Sequence, residues 1–278
     1  MKQEVRIKNV IDYLKWVKTP LYEEVDNKEG RLVSFLRSEV YYRGQASDKW
    51  ELIPGIFRGE NCIDEHKILK KAELQLWSEM QSLGSYLEKL VFLQHYGLKT
   101  RLLDVTFNPL VALYMACSEE PEENGVVYRG FKTDEQNVRI ANLTAKYIFE
   151  NEINDIPVNL EEFAKPASVQ TEDFTKPIFI NPPINNVRIE SQNGAFIMSP
   201  LVEKIESDGT IIKNNGPLKG SFFDEKRAEI PNRYKESILK ELSVLGINRG
   251  TLFRNIEEKV KSIMEEEEYK RARIDMSA

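Results

Sequence analysis

The chain of 278 residues has few of the residues that build covalent and metal scaffolds: two cysteines, Cys62 and Cys117, and two histidines, His66 and His95. A disulfide framework is thereby excluded, and with only two histidines and with Cys62 and Cys117 far apart in sequence no zinc-type ligand spacing appears, so no metal is expected. The cysteines read as reduced thiols of a cytoplasmic protein. No run approaches the ~20 apolar residues of a membrane span, and Met1-Lys2-Gln3-Glu4 leads into no signal-type apolar stretch. A soluble chain with no membrane partner is the expectation. Also missing are a Gly-rich Walker loop, a Rossmann fingerprint and a Gly-x-Ser-x-Gly elbow, which removes the usual nucleotide and acyl-enzyme signatures. Neither sign of charge dominates. With 39 Lys and Arg against 45 Asp and Glu, the formal net charge is −6 and no general polyanion-binding surface is advertised, although a local basic groove stays compatible with it.

What is present is 41% apolar residues, enough for the core of one large domain or of one domain with a modest appendage. One segment concentrates both polarity and order. Residues Gln94 to Pro109 read Gln-His-Tyr-Gly-Leu-Lys-Thr-Arg-Leu-Leu-Asp-Val-Thr-Phe-Asn-Pro and lead into the apolar run Leu110 to Cys117. Gly97 permits a positive-φ turn, and the short apolar run Leu102 to Val105 suits a buried strand. Asn108 stands where a helix N-cap belongs, with Pro109 in the first helical position. The helix to Cys117 is apolar at nearly every position, so it is expected to be enclosed. Thr106 and Asn108 thus fall at the carboxyl end of a strand, beside a helix N-terminus whose free donors suit an anion.

Elsewhere, apolar spacing from Ile7 predicts a helix to Trp16 or Val17, ending before Pro20. Val40-Tyr41-Tyr42 predicts a strand closing at Arg43-Gly44-Gln45, and residues 64–93 a long helical region interrupted near Gly84-Ser85. Strands are expected at 126–131, 177–180, 195–198 and 210–212, and a helix at 234–245 with Gly246 as its C′ residue. A last helix starts near Arg249 and runs through Ile256, Val260 and Ile263, before a solvated acidic tail at Glu265 to Glu268. The pattern is α+β. Its expected divisions are a helical opening element over 1–39, an α+β domain over 40–228 with 133–176 as an insertion of short helices, and a helical closing unit with the acidic tail over 229–278.

Several blocks carry a specific resemblance. Tyr42-Arg43-Gly44-Gln45, the run Trp50 to Arg58 and the segment Gln94 to Ala116 resemble the FRG domain family, as do Arg188 to Phe196 and Ile247 to Phe253. More distantly, aromatic-Arg-Gly on an early strand is similar to the first motif of arginine-containing ADP-ribosyltransferases. The strand Leu103 to Thr106 is similar to their second motif, and Glu190-Ser191-Gln192 occupies the place of their third. The resemblance implies a small mixed or antiparallel sheet with flanking helices, and NAD as a substrate. It implies that Arg43 pairs with phosphate, Thr106 positions the site, and Glu190 or Gln192 faces the ribose. Tyr42, Gln45, Arg58, His95, Tyr96, Thr100, Arg101, Asp104 and Asn108 complete the candidate ligand-binding set. A glutamine at position 192 departs from the family's glutamate, because a neutral amide cannot stabilise a developing oxocarbenium as a carboxylate does.

Each candidate also has a plainer reading. Arg43 and Asp104 can form an internal ion pair, His95 can bond a turn, and Arg101 can cap the preceding helix. Thr100 and Thr106 can satisfy backbone groups, Asn108 can serve only as an N-cap, Arg58 can snorkel from the core, and Tyr42 can be a packing residue. Gln192 before Asn193-Gly194 can serve a hairpin turn. Three functions follow as expectations: an ADP-ribosyltransferase or NAD-cleaving enzyme in conflict between bacteria and phages, a recognition module for a small molecule or partner, and a nucleic-acid-binding module using Arg43, Arg58, Lys99 and Arg101. A macromolecular acceptor is unspecified in all three.

Overall fold

A computed structural model of the chain describes residues 4–26, 32–36, 39–58, 64–131, 138–151, 156–181, 187–206, 211–213, 223 and 226–253. In chain order the opening elements are β1 (Glu4–Arg6), α1 (Val10–Val17), the hairpin β2 (Tyr22–Asp26) and β3 (Leu32–Leu36), and β4 (Val40–Gln45). Helices α2 (Glu65–Gln75), α3 (Trp77–Met80) and α4 (Tyr86–His95) follow, then β5 (Leu102–Thr106), α5 (Pro109–Cys117) and β6 (Gly125–Phe131). Next come α6 (Val138–Glu150), α7 (Ile156–Ala164), β7 (Ile178–Ile180), α8 (Val187–Gln192) and β8 (Gly194–Met198). The chain closes with β9 (Val202–Ile205), β10 (Ile211–Lys213), β11 (Arg227–Ile230), α9 (Asn232–Val244) and α10 (Arg249–Leu252).

A seven-stranded sheet in the order β1-β11-β6-β4-β5-β8-β7 organises the molecule. Its pairings are antiparallel except β1 with β11, which makes the sheet mixed and the class α+β. Helices α1, α5 and α9 cover Tyr42, Val127, Ala228 and Ile230, while α2, α4 and α6 cover Leu102, Phe196 and Met198 on the neighbouring strands. A smaller cluster of Tyr41, Leu103, Val105, Phe179, Ala195 and Ile197 takes the alternate positions of the same strands.

Local chemistry explains the elements. The Ser85 side chain caps α4 by accepting from the Glu88 amide at 3.1 Å, so the break expected near Gly84-Ser85 is a helix restart. Gly97 follows at φ 90, a left-handed turn. Asn108 caps α5, accepting from the Leu110 amide at 3.0 Å with Pro109 in the first turn, and Val111, Ala112, Leu113 and Ala116 are buried. The close contact of α5 with the sheet is set by Gly44: a Cβ there would lie 1.9 Å from the Ala112 carbonyl oxygen. Gly246 lies at φ 78 after α9, as a C′ residue does.

Two expectations resolve differently from their patterns. Asn193-Gly194 makes no hairpin: Asn193, at φ 46, ends α8 and turns the chain into β8. Within the polar stretch 133–176, α6 carries Ile140, Ala141, Tyr147, Ile148 and Phe149 into the main core, its apolar stripe having been diluted in the sequence by the charged residues of the outer face. The continuation of the last helix through Ile256, Val260 and Ile263, the acidic tail and Cys62 lie outside the described residues.

Candidate active site

Strands β4 and β5 meet at one pair, Tyr42 with Thr106, whereas Val40 through Gln45 all pair with β6 and Leu102 through Thr106 all pair with β8. The sheet therefore opens as a wedge on the Arg43 side of that pair. Arg43 Nη1 crosses the opening and donates to the backbone carbonyl of Asp104 at 2.6 Å. Its Nε is enclosed without a hydrogen-bond partner, and Nη2 makes no hydrogen bond among the described residues. Burial pulls the guanidinium pKa down to about 10. Asp104 opposes that shift, the Arg58 cation adds to it, and Tyr128 opposes it more weakly. Arg43 thus stays a cation at neutral pH.

Two adjoining hollows occupy the wedge. One, of about 230 Å³, is lined by Arg43, Gln45, Trp50, Thr106, Arg249 and Phe253 among others. The second, of about 240 Å³, is lined by Gln94, His95, Lys99, Leu103 and Phe196 among others. Arg58, Asp104, Val105 and Gln192 belong to both, so the hollows are two lobes on either side of one ridge. Asp104 is exposed in the middle of the sheet while Leu102, Leu103, Val105 and Thr106 around it are buried. Its Oδ2 accepts from Gln94 Nε2 at 3.2 Å.

The surrounding bonds fix the floor. Thr106 Oγ1 accepts from the Asn108 amide at 2.9 Å and donates to the Gln192 carbonyl at 2.6 Å, tying the end of β5 to α8. Gln192 Nε2 and Ser191 Oγ donate to the Leu252 carbonyl at 3.3 and 3.0 Å, tying α8 to α10. Gln45, 3% exposed, donates from Nε2 to the Glu51 carbonyl at 3.2 Å, and its Oε1 is buried without a partner. Arg58 Nε donates to the Ile53 carbonyl at 2.9 Å.

The structure brings Arg43, Gln45, Arg58, Asp104, Thr106 and Gln192 to one lobe and His95 to the other. The remaining candidates line neither lobe. Tyr42 is buried with its ring edge-on to Trp16 at 6.4 Å. Tyr96, 71% exposed, packs on Phe92 at the end of α4. Thr100 Oγ1, fully buried, donates to Gln94 Oε1 at 2.8 Å and accepts from the Leu102 amide at 3.1 Å. Arg101 is buried in an ion pair with Glu65 at 2.6 Å and donates to the Ser199 and Pro200 carbonyls, so it caps no helix. Asn108 is the cap of α5, and Glu190 stands exposed on α8.

Trp50, Gln94, Arg249 and Phe253 complete the lobes and were not singled out from sequence. A signal existed, since Trp50 and Arg249 fall inside the motif blocks Trp50 to Arg58 and Ile247 to Phe253. Among the described residues no group of His, Cys, Asp and Glu is placed to hold a metal ion, and no helix is long and apolar enough to cross a membrane.

Comparison with known families gives one match, the FRG domain, over residues 38–125. That stretch of the chain is similar to the FRG domain. The matched region runs from β4 through α5 to the first residue of β6, so it contributes Arg43, Gln45, Arg58, Asp104 and Thr106 to the wedge. Gln192, Arg249 and Phe253 come from beyond it and line the same lobe. No curated protein and no solved structure matches the chain.

Proposed function

We propose that the protein binds a nicotinamide dinucleotide across the two lobes and cleaves its nicotinamide–ribose bond, passing the ADP-ribosyl unit to water or to a macromolecular acceptor. The observation that carries this reading is the open wedge, in which Arg43 keeps two nitrogens free of hydrogen bonds beside the exposed Asp104. A guanidinium cation that lines the lobe and is not consumed by a carboxylate is suited to donate to phosphate oxygens. Arg58, on the ridge shared by both lobes, adds a second cation where a pyrophosphate would lie. Each lobe is smaller than the ~300–1,000 Å³ of a usual ligand pocket, and two lobes joined by a cationic ridge suit a ligand of two nucleoside halves joined by pyrophosphate.

Breaking the glycosidic bond returns its electron pair to the pyridinium nitrogen, so nicotinamide leaves neutral and positive charge develops on the ribose. The water that adds at C1′ gives up its proton. A fixed carboxylate beside that carbon lowers the barrier. Of the two acids in the motif blocks, Glu190 lies outside both lobes and Asp104 lies between them, so Asp104 takes that role. Thr106 and Gln192 act as positioning residues through the bonds that tie β5, α8 and α10 together.

The test is release of nicotinamide from NAD by the purified protein. Release that falls about 100-fold or more in Asp104→Asn, with ADP-ribose still bound, is the expected result. Absence of release and of ADP-ribose binding would end the reading.

A second reading, ligand recognition without turnover, is favoured by one observation: the Thr106 hydroxyl, the Gln192 amide and the Asp104 carboxylate all have protein partners. ADP-ribose binding without nicotinamide release would select it. Nucleic-acid binding is less well supported, because Arg101 is consumed by Glu65. Activity in the cytoplasm, in conflict between bacteria and phages, is proposed from the family resemblance alone.

A further inference from the structure

We propose that Gln45 selects the ligand's base, accepting an N–H from a carboxamide or exocyclic amine through an Oε1 that has no partner in the protein. The inference rests on the nucleotide reading and adds to it the residue that decides which base is taken.

Gln45 is an anomaly of the wedge. It is a polar side chain with 3% exposure, on the strand next to the opening, and it lines the same lobe as Arg43. Its orientation is set by its own hydrogen bond: Nε2 must be the atom facing the Glu51 carbonyl at 3.2 Å, because two oxygens cannot face each other, and this leaves Oε1 on the other side. That oxygen is buried and unbonded. A buried acceptor without a donor is costly to the fold, so such a group in a cleft signals a donor supplied from outside it. Gln45 and Arg43 are alternate residues of β4, so their side chains leave the same face of the strand about 7 Å apart. That spacing is the scale of one mononucleotide unit, with its phosphate at Arg43 and its base edge at Gln45. Trp50, 40% exposed, lines the same lobe and offers a ring face beside that base.

An acceptor at this position recognises a donor and rejects another acceptor. A carboxamide offers N–H where the corresponding acid offers only oxygen, and adenine offers an amine where hypoxanthine offers a carbonyl. The two possible sources of the N–H, nicotinamide and adenine, share one chemistry and differ in which ligand pair reveals it.

The experiment is displacement of a fluorescent ADP-ribose derivative by NAD, by its nicotinic acid counterpart and by its hypoxanthine counterpart, on wild type and on Gln45→Met. The expected result is that wild type binds NAD about tenfold or more tightly than one of the two analogues, and that Gln45→Met abolishes that ratio. Loss against the nicotinic acid analogue places nicotinamide at Gln45, and loss against the hypoxanthine analogue places adenine there. If Gln45→Met fails to fold, Gln45→Leu is read in the same way, and a ratio unchanged from wild type in the folded variant overturns the inference. Equal affinity for all three dinucleotides overturns the inference while leaving the nucleotide reading intact. Failure of the wild type to bind the ADP-ribose probe removes both.

Discussion

Arg43 reaches across the parting of β4 and β5 and donates to the main-chain carbonyl of Asp104 at 2.6 Å, taking the place of a ladder bond that the strands no longer make. The two residues form no carboxylate–guanidinium pair, so neither charge is neutralised by the other at contact distance. One nitrogen of this side chain therefore spans the wedge, while its Nε is enclosed without a partner and the residue lines the lobe. Arg43→Met is expected to abolish ADP-ribose binding and also to loosen the β4–β5 junction. Amide hydrogen exchange at Asp104 and Val105 should rise while that of β6 stays unchanged.

The pH dependence follows from the same group. With the Arg43 pKa pulled down to about 10 by burial, affinity for an anionic ligand should be flat from pH 7 to 9 and fall by up to about tenfold per unit above 10, as the cation is lost. The stability term has the opposite sign. Between about 10 and the ordinary arginine value the unfolded chain holds one more proton at this site than the folded chain, so the Arg43 contribution to stability rises with pH in that window. Calorimetric titration with ADP-ribose across that range checks the first statement, and urea unfolding of wild type against Arg43→Met checks the second.

Gly44→Ala is expected to destabilise the protein by about 3 kcal/mol, since the new Cβ would meet the Ala112 carbonyl at 1.9 Å and neither backbone can yield without moving α5. Urea denaturation reads the loss. A change below about 0.5 kcal/mol would show that α5 does not sit against β4 as described.

Arg101 separates structure from function. Its buried pair with Glu65 and its bonds to the Ser199 and Pro200 carbonyls lie away from both lobes. Arg101→Met should cost about 3–5 kcal/mol by leaving Glu65 buried and unpaired, and the double change with Glu65→Leu should recover a large part. Ligand affinity per folded molecule should be unaltered, as titration of the folded fraction would measure.

Cys117 is buried in α5 and burial pushes its thiol pKa up to about 12. The thiolate is therefore scarce at neutral pH, and iodoacetamide should leave the Cys117 peptide unmodified until urea unfolds the chain. Mass spectrometry of the labelled peptides shows the outcome.

Much of the fold was legible where one local signal ruled. Asn108-Pro109 announced the start of α5, the unbroken apolar run to Cys117 announced its enclosure, and Gly97 and Gly246 stood where positive φ was needed. The β-branched and aromatic run Val40-Tyr41-Tyr42 marked β4, but nothing in it reported that β4 leaves β5 after a single pair, since strand separation depends on partners distant in sequence. The site was legible in part for the same reason. Arg43, Asp104, Thr106 and Gln192 converge, whereas Arg101 and Thr100, in the same motif segment, are turned inward by Glu65 and Gln94, an assignment that only packing makes. Glu190 and Gln192 show the limit most simply. They are two residues apart on the short helix α8, which puts them on opposite sides, and Gln192 faces the cleft.

The most direct test of the central claim is calorimetric titration of ADP-ribose into wild type and Arg43→Lys. A lysine keeps the charge and loses the fork, so the account predicts binding by wild type and a loss of about tenfold or more in the variant. Equal affinity in the two proteins, or no binding by wild type, would contradict it.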